Sequence, residues 1–228
     1  MTPDERAESD EAYRLAVVDL LGALAFGELT AFERLAEDAA FAPTIADKAA
    51  LAAMAVAEYN HFALLRARLE EMGAHPEQAM EPFTAALNGF HERTSPADWL
   101  EGLVKAYVGD GIAADFYREV SAYLDESTRL LVLQVLEDTG HAMFALERVR
   151  AAVAGDPRLA GRLALWGRRI VGEALSQAQR VAAERDALAA LLVGGVDFRG
   201  ADLAEVGRMF ARLTDNHTER LAALGLSA

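Results

Sequence analysis

Cysteine is absent from the 228 residues of this chain, which excludes disulfide bonds, thiolate metal sites and cysteine nucleophiles. No run of about 18 uninterrupted apolar residues occurs, and a membrane-spanning helix needs roughly that length. The first ten residues are acidic and lack the apolar core of a signal peptide. We therefore expect a cytoplasmic protein with no membrane partner.

Basic residues are scarce, since 22 Lys and Arg stand against 36 Asp and Glu and the net charge is −14. Residues 1–155 carry 27 acidic and 12 basic side chains, whereas residues 156–228 carry 9 and 10. Nucleic-acid-binding proteins usually need an excess of positive charge to displace counterions from phosphates. The composition therefore disfavours a polyanionic partner, except at the C-terminal third of the chain.

Helix signals dominate the sequence, and no stretch shows the alternation typical of a β-strand. Apolar residues make up 53% of the chain, enough for a large core in one domain. Helix caps at Thr44, Ser95 and Asp125 and a stop at Gly73 set the main boundaries. Together with the other signals they predict six helices, at about residues 9–40, 44–72, 95–123, 125–154, 156–192 and 202–224. A short helix is predicted over 77–92, inside the connection 73–95.

An internal repeat relates the two predicted helical hairpins. Ala25-Phe-Gly-Glu28 is similar to Tyr107-Val-Gly-Asp110 at an offset of 82 residues, and Glu58-Tyr-Asn-His61 is similar to Asp138-Thr-Gly-His141 at an offset of 80. The long connection 73–95 then carries the chain from one hairpin to the other. We predict an all-α fold, with a four-helix core over about 9–154 and two additional C-terminal helices over about 156–224.

A carboxylate interrupts the apolar stripe of each core helix; the four are Glu28, Glu58, Asp110 and Asp138. An unpaired ionised carboxylate on a buried face costs several kcal/mol or shifts its pKa until it is neutral. Glu28 and Glu58 are equidistant from the turn at Pro43, and the other two are equidistant from the turn beside Asp125. The two carboxylates of each pair therefore lie at the same height along their antiparallel helices, about 14–15 residues or roughly 22 Å from the turn.

Each second helix of a hairpin also supplies a histidine one turn after its carboxylate. One carboxylate from each of two helices plus carboxylate-x-x-His from each of the other two is the dinuclear site of ferritin-like bundles. Oxygen and imidazole donors without sulfur suit iron or manganese, with zinc possible. We predict that the ligands are Glu28, Glu58, His61, Asp110, Asp138 and His141.

Simpler interpretations exist for each part of this pattern. A lone Glu-x-x-His is more often a surface or capping pair, and either histidine could be a satisfied core residue. Glu137 is spaced to compete with Asp138 as the partner of His141, although the repeat favours Asp138. Tyr107 and Tyr117 share the ligand face of the third helix, where they either fill the core or hydrogen-bond a metal-bound oxygen or a bridging carboxylate.

The fifth predicted helix carries a polar row, Glu173, Gln177, Arg180 and Glu184, with two interpretations. The row is either a set of partners of the metal ligands or a salt-bridged exposed face, and the second is the commoner case. The remaining histidines, His75, His91 and His217, have no role assigned.

At these motifs the sequence resembles the ferritin-like superfamily over residues 9–154. Over most of the chain, including Glu173-Ala-Leu-Ser-Gln-Ala-Gln-Arg180, it is similar to the tRNA methylthio-isopentenyladenosine hydroxylase family. That resemblance implies a non-haem di-iron enzyme that reduces dioxygen and hydroxylates the isopentenyl group of a modified tRNA nucleoside. The family's ligands correspond to Glu28, Glu58 with His61, and His141, and it has glutamates at Asp110 and Asp138.

The resemblance also implies partners: dioxygen, an external electron donor, and a modified tRNA nucleoside or another hydrophobic substrate. No flavin or nicotinamide motif is visible in the sequence. Two alternative functions are a ferroxidase or peroxide scavenger without an organic substrate, and a non-enzymatic helical module with a degenerate metal site. A homodimer through the fifth or sixth helix is a further expectation.

Overall fold

The computed structural model describes residues 3–137, 140–193 and 203–227. Over these ranges all regular structure is helical and there is no β-strand, so the predicted all-α class is confirmed. The helices are α1 (Pro3–Asp38), α2 (Ile45–Glu71), α3 (Pro76–Met80), α4 (Thr84–Arg93), α5 (Trp99–Ser121), α6 (Glu126–Val135), α7 (His141–Gly155), α8 (Arg158–Glu184), α9 (Asp186–Val193) and α10 (Leu203–Ala223).

The first hairpin, α1 and α2, forms as the sequence predicts. The Thr44 side chain accepts a hydrogen bond from the backbone N–H of Asp47 and so caps the start of α2. After α2, Gly73 has a φ of 71°, a left-handed conformation that favours glycine. The two helices pack along each other over most of their length.

The connection after this hairpin is less continuous than predicted. Instead of one helix over 77–92, it contains α3, a 3₁₀ turn (Glu81–Phe83) and α4. Pro82 lies inside the 3₁₀ turn and, lacking an N–H group, cannot donate the bond that would continue α3. The connection is therefore structured, with α3 packed on α1 and α4 packed on α8.

The N-cap of the third predicted helix lies three residues later than Ser95. Asp98 is the cap of α5, because its Oδ1 accepts a hydrogen bond from the N–H of Glu101. The Glu101 side chain in turn accepts a bond from the N–H of Ala97. This reciprocal pair satisfies two backbone donors and fixes the first turn of the helix.

The fourth predicted helix, 125–154, is wrong as a continuous element. It is divided into α6 and α7, and Gly140 immediately before α7 has a φ of 102°. That left-handed conformation is incompatible with a continuing right-handed helix. His141 is therefore the first residue of a new helix and not a residue inside a continuous one, and its predicted partner Asp138 lies outside the described residues.

The fifth predicted helix is also divided, at Arg185 between α8 and α9. Arg185 makes a two-pronged ion pair with Asp19, and one of the two hydrogen bonds joins Nε to Oδ2 at 3.0 Å. Asp19 is buried on α1, and a buried carboxylate needs such a partner. The ion pair thus ties the corner between α8 and α9 to α1.

The core consists of two clusters of apolar side chains. On α1, Ala25 belongs to the first cluster and Leu35 to the second; on α2, Phe62 belongs to the first and Ala55 to the second. Glu28 and Glu58 lie between these positions, so polar residues interrupt the core where its two clusters meet.

The segment Glu11–Phe41, mainly α1, is long and apolar enough by length and composition to cross a membrane. In the structure 56% of its most apolar window is buried against the rest of the chain. Such burial is typical of a core helix in a soluble protein, and α1 contacts α2, α3 and α9 in this way.

A substitution at Gly22 tests the close approach of α1 and α3. A Cβ atom at Gly22 would lie 2.2 Å from the carbonyl oxygen of Ala79. We expect Gly22→Ala to lower the free energy of unfolding by about 1–3 kcal/mol, because backbone atoms must move apart. The control Gly161→Ala, in an open position on α8, should raise it by about 0.5–1 kcal/mol. Urea unfolding measures both changes, and an unchanged midpoint for Gly22→Ala would contradict the packing described.

Candidate metal centre

The first group of possible ligands combines Glu28 of α1 with Glu58 and His61 of α2. One donor atom from each residue lies within 4.8 Å of the others. Two donor atoms about 2.1 Å from the same ion are at most about 4.2 Å apart. The three side chains therefore need only a small contraction to bind one ion.

The second group combines Glu58 with Asp110 of α5 and His141 at the start of α7, again within 4.8 Å. Glu58 belongs to both groups. Its Oε1 lies 3.1 Å from Nδ1 of His141, and its Oε2 lies 3.8 Å from Nδ1 of His61. The two oxygens of one carboxylate thus face different histidines, which is the arrangement that a carboxylate bridging two ions requires.

Two buried atoms in the first group have no hydrogen-bond partner among the described residues. They are Oε2 of Glu28 and Nδ1 of His61, which lie 3.4 Å apart. Buried polar atoms are normally satisfied, because desolvation without a partner costs free energy. A cation between these two atoms would satisfy both, so the residues present fit a metal ion.

The electrostatics of the cluster depend on burial. Burial, aided by the nearby charge of Glu58, raises the pKa of Glu28 well above its ordinary value. Burial also acts to raise the pKa of Glu58, but contacts with His141 and His61 outweigh it and hold that pKa below its usual range. Contacts with Glu28 and Glu58 raise the pKa of His61 to about 10. Without metal, the proton on His61 therefore supplies positive charge beside the carboxyl groups of Glu28 and Glu58.

One predicted ligand, Asp110, differs from the sequence expectation in its exposure. Asp110 is exposed, although the apolar stripe of its helix predicts burial. The second group therefore borders solvent, where the first group is largely enclosed. Asp138 lies outside the described residues, so the structure brings together Glu28, Glu58, His61, Asp110 and His141 and leaves the sixth ligand as a prediction.

A cavity of about 860 Å³ adjoins the cluster, and Tyr107 and Tyr117 both line it. Burial raises the pKa of Tyr117, and the charge of Glu28 adds to this effect. The phenol of Tyr117 thus stays protonated close to a predicted ligand. The volume is within the range of small-molecule binding sites, about 300–1,000 Å³.

The same cavity is lined by polar residues that the sequence analysis missed, notably Arg34, Lys105 and His91. The available signal was Lys105, a single lysine between Val104 and Val108 in an apolar stretch of α5. The polar row on α8 is interpreted either as partners of the metal ligands or as an exposed salt-bridged face, and its residues differ in which interpretation they fit. Gln177 lines the cavity, whereas Arg180 and Glu184 form an exposed ion pair at 2.9 Å.

A family model described as a ferritin-like domain of actinomycetes matches residues 11–195. This match covers most of the 228 residues, and the chain therefore belongs to that ferritin-like family. No curated protein matches the sequence significantly. The fold and the carboxylate and histidine cluster together fit a metal cofactor.

Substitutions in the cluster should show that the two groups share Glu58. We expect Glu58→Ala to remove the binding of both ions, because this residue contributes to both groups. Glu28→Ala and Asp110→Ala should each weaken the binding of one ion, which leaves about one bound ion per chain. The control Glu70→Ala changes an exposed residue of the same helix, paired with Arg66, and should retain both ions. Elemental analysis after loading with Mn²⁺ or Zn²⁺ and gel filtration measures the stoichiometry; equal losses for all three cluster variants would contradict the shared arrangement.

Metal uptake should release protons from the cluster. At pH 7 His61 is protonated because its pKa is raised to about 10, and a metal ligand must be the neutral imidazole. Affinity should therefore increase as the pH rises from 6 towards 9. Calorimetric titration in buffers of different ionisation enthalpy counts the protons, and His61→Ala should release about one fewer than the unsubstituted chain. Proton release that is the same with and without His61 would show that this imidazole does not ligate.

Proposed function

We propose that this chain is a non-haem dinuclear iron protein that acts as a dioxygen-dependent hydroxylase or monooxygenase. The observation that carries the proposal is Glu58, whose two oxygens face two separate histidines at the edge of a large cavity. A site with two ions beside room for an organic molecule suits oxidation of a bound substrate. When bound, two iron ions supply the redox chemistry that activates dioxygen.

The residues of the chain divide the remaining tasks. Glu28 and His61 would hold one ion, Asp110 and His141 the other, and Glu58 would bridge them. The phenols of Tyr107 and Tyr117 line the cavity, and Tyr117, protonated near Glu28, can donate a hydrogen bond at the cluster. The apolar walls of the cavity exclude water from the substrate and so protect reactive species from side reactions.

The substrate and the reductant belong to this proposal as well. The resemblance to the tRNA methylthio-isopentenyladenosine hydroxylase family favours a prenyl-like or other hydrophobic group as the site of hydroxylation. The acidic surface disfavours a whole tRNA as the bound molecule, because 27 of the 36 acidic residues lie in residues 1–155. The proposal requires an external electron donor and places the protein in the cytoplasm.

A second candidate function is ferroxidase or peroxide-scavenging chemistry. The exposure of Asp110 favours it, because an exposed carboxylate at the cluster gives cations a route from solvent. A ferroxidase turns over Fe²⁺ without an organic substrate, whereas a hydroxylase holds its iron and needs a reductant. The two functions are therefore separable by their requirements.

The test uses protein purified without added metal. We expect about two iron ions per chain, an absorption change on reduction and air exposure, and oxygen consumption by the reduced protein. Glu58→Ala should abolish the oxygen reaction, whereas Glu70→Ala should retain it. Continuous oxidation of added Fe²⁺ without loss of bound iron would favour the ferroxidase. Bound iron with no oxygen reaction after reduction would contradict both functions and favour a degenerate site.

A further inference from the structure

A buried lysine lies in the same cavity as the metal ligands but at a different height. Lys105 precedes Asp110 by five residues on α5, and Arg34 follows Glu28 by six residues on α1. At 1.5 Å per residue these positions lie about 8–9 Å along the helices from the ligands. Both residues line the cavity and the charge of each acts on the other, so they mark one polar end of it.

The ammonium group of Lys105 is unusual for its burial. The residue is 6% exposed, and Nζ lies 5.6 Å from the centre of the Phe90 ring. Lysine side chains normally extend to keep the ammonium group in water, and buried charges are normally paired. Burial lowers the pKa of Lys105 to about 8, which still leaves it mainly charged at pH 7.

The acidic residues near Lys105 act on it only from beyond ion-pair distance. Asp38, Glu37 and Asp110 attract it and Arg34 repels it, but none of these forms an ion pair with it in the part of the chain that the structure describes. Glu37 is engaged with Arg34 at 2.6 Å. Burial raises the pKa of Asp38, whereas the charge of Lys105 acts to lower it.

The rest of the cavity wall is largely apolar. It includes side chains of α1, α4, α5 and the 3₁₀ turn, namely Leu24, Ala31, Phe83, Leu87, Ile112 and Phe116. A ligand that fills this space therefore needs an extended apolar part. A single negative charge at one end would match the single unpaired ammonium group, whereas a doubly charged phosphate would exceed it.

We propose that the cavity binds an elongated apolar carboxylate, with its carboxylate on Lys105 and its apolar chain directed at the metal centre. The part of this inference that directs the apolar end of the ligand at the metal centre rests on the proposed function. The binding itself needs no metal, because Lys105, Phe90 and the apolar wall are properties of the chain alone.

The test compares ligands that share one chain and differ in the head group: decanoate, 1-decanol and decylamine. Calorimetry on the full chain after removal of metal by a chelator avoids direct binding of carboxylate to metal. We expect decanoate to bind at least about tenfold more tightly than 1-decanol, as a hydrogen bond to a charged group implies. Decylamine should bind most weakly.

The chain offers a matched control, because Lys48 and Lys105 are its only two lysines and Lys48 is exposed on α2. Lys105→Met should reduce the affinity for decanoate to that for 1-decanol, whereas Lys48→Met should leave the preference unchanged. Lys105→Arg, which keeps the charge, should retain the preference and serves if the methionine variant does not fold. Equal binding of decanoate and 1-decanol, tighter binding of decylamine, or an undiminished preference in Lys105→Met would overturn the proposal.

The Glu58→Ala variant separates this inference from the proposed function. It should keep the preference for decanoate, since Glu58 belongs to the metal cluster and not to the polar end. If the chain binds no iron yet prefers decanoate through Lys105, the proposed function fails and the carboxylate site stands. If iron binds and reacts with oxygen but the preference is absent, only the inference about the substrate fails.

Discussion

The structure depends on carboxylates placed where helices bury them. Glu28 and Glu58 interrupt the core between its two apolar clusters, so the packing of α1 on α2 is compatible with these side chains only if positive charge accompanies them. In the isolated cluster a proton on His61 carries such charge, as the raised pKa of that imidazole indicates. Metal ions at the same place would satisfy the orphaned Oε2 and Nδ1 atoms directly. The need for charge compensation thus links the fold to the chemistry.

The first hairpin was predictable because its geometry follows from counting residues along regular helices. Glu28 and Glu58 are equidistant from a turn whose cap, Thr44, is visible in the sequence. His61 follows Glu58 by one turn in a helix without interruption. Periodicity alone therefore brings these three side chains together.

The second half of the site could not be predicted in the same way. Gly140 adopts a left-handed conformation, and nothing in a helical periodicity indicates which glycine will end a helix and which will remain inside one. Gly102 and Gly109, for comparison, lie inside α5. The repeat predicted His141 and Asp110 as ligands, and the structure brings one donor atom of each within 4.8 Å of Glu58, but the exposure of Asp110 depends on tertiary packing. Lys105 was missed for a related reason, since one charged residue in an apolar stretch does not reveal whether it reaches solvent.

Because the chain breaks before α7, an inserted residue affects the positions of His61 and His141 differently. One residue inserted between Glu58 and His61 would rotate every later side chain of α2 by about 100°, which would carry the imidazole off the shared face. An insertion between Leu136 and Glu137 falls after the end of α6 and before the start of α7, so α7 could keep its orientation while the extra residue is accommodated ahead of it. Among relatives of this chain, insertions and deletions should therefore be found ahead of His141 and be absent between Glu58 and His61.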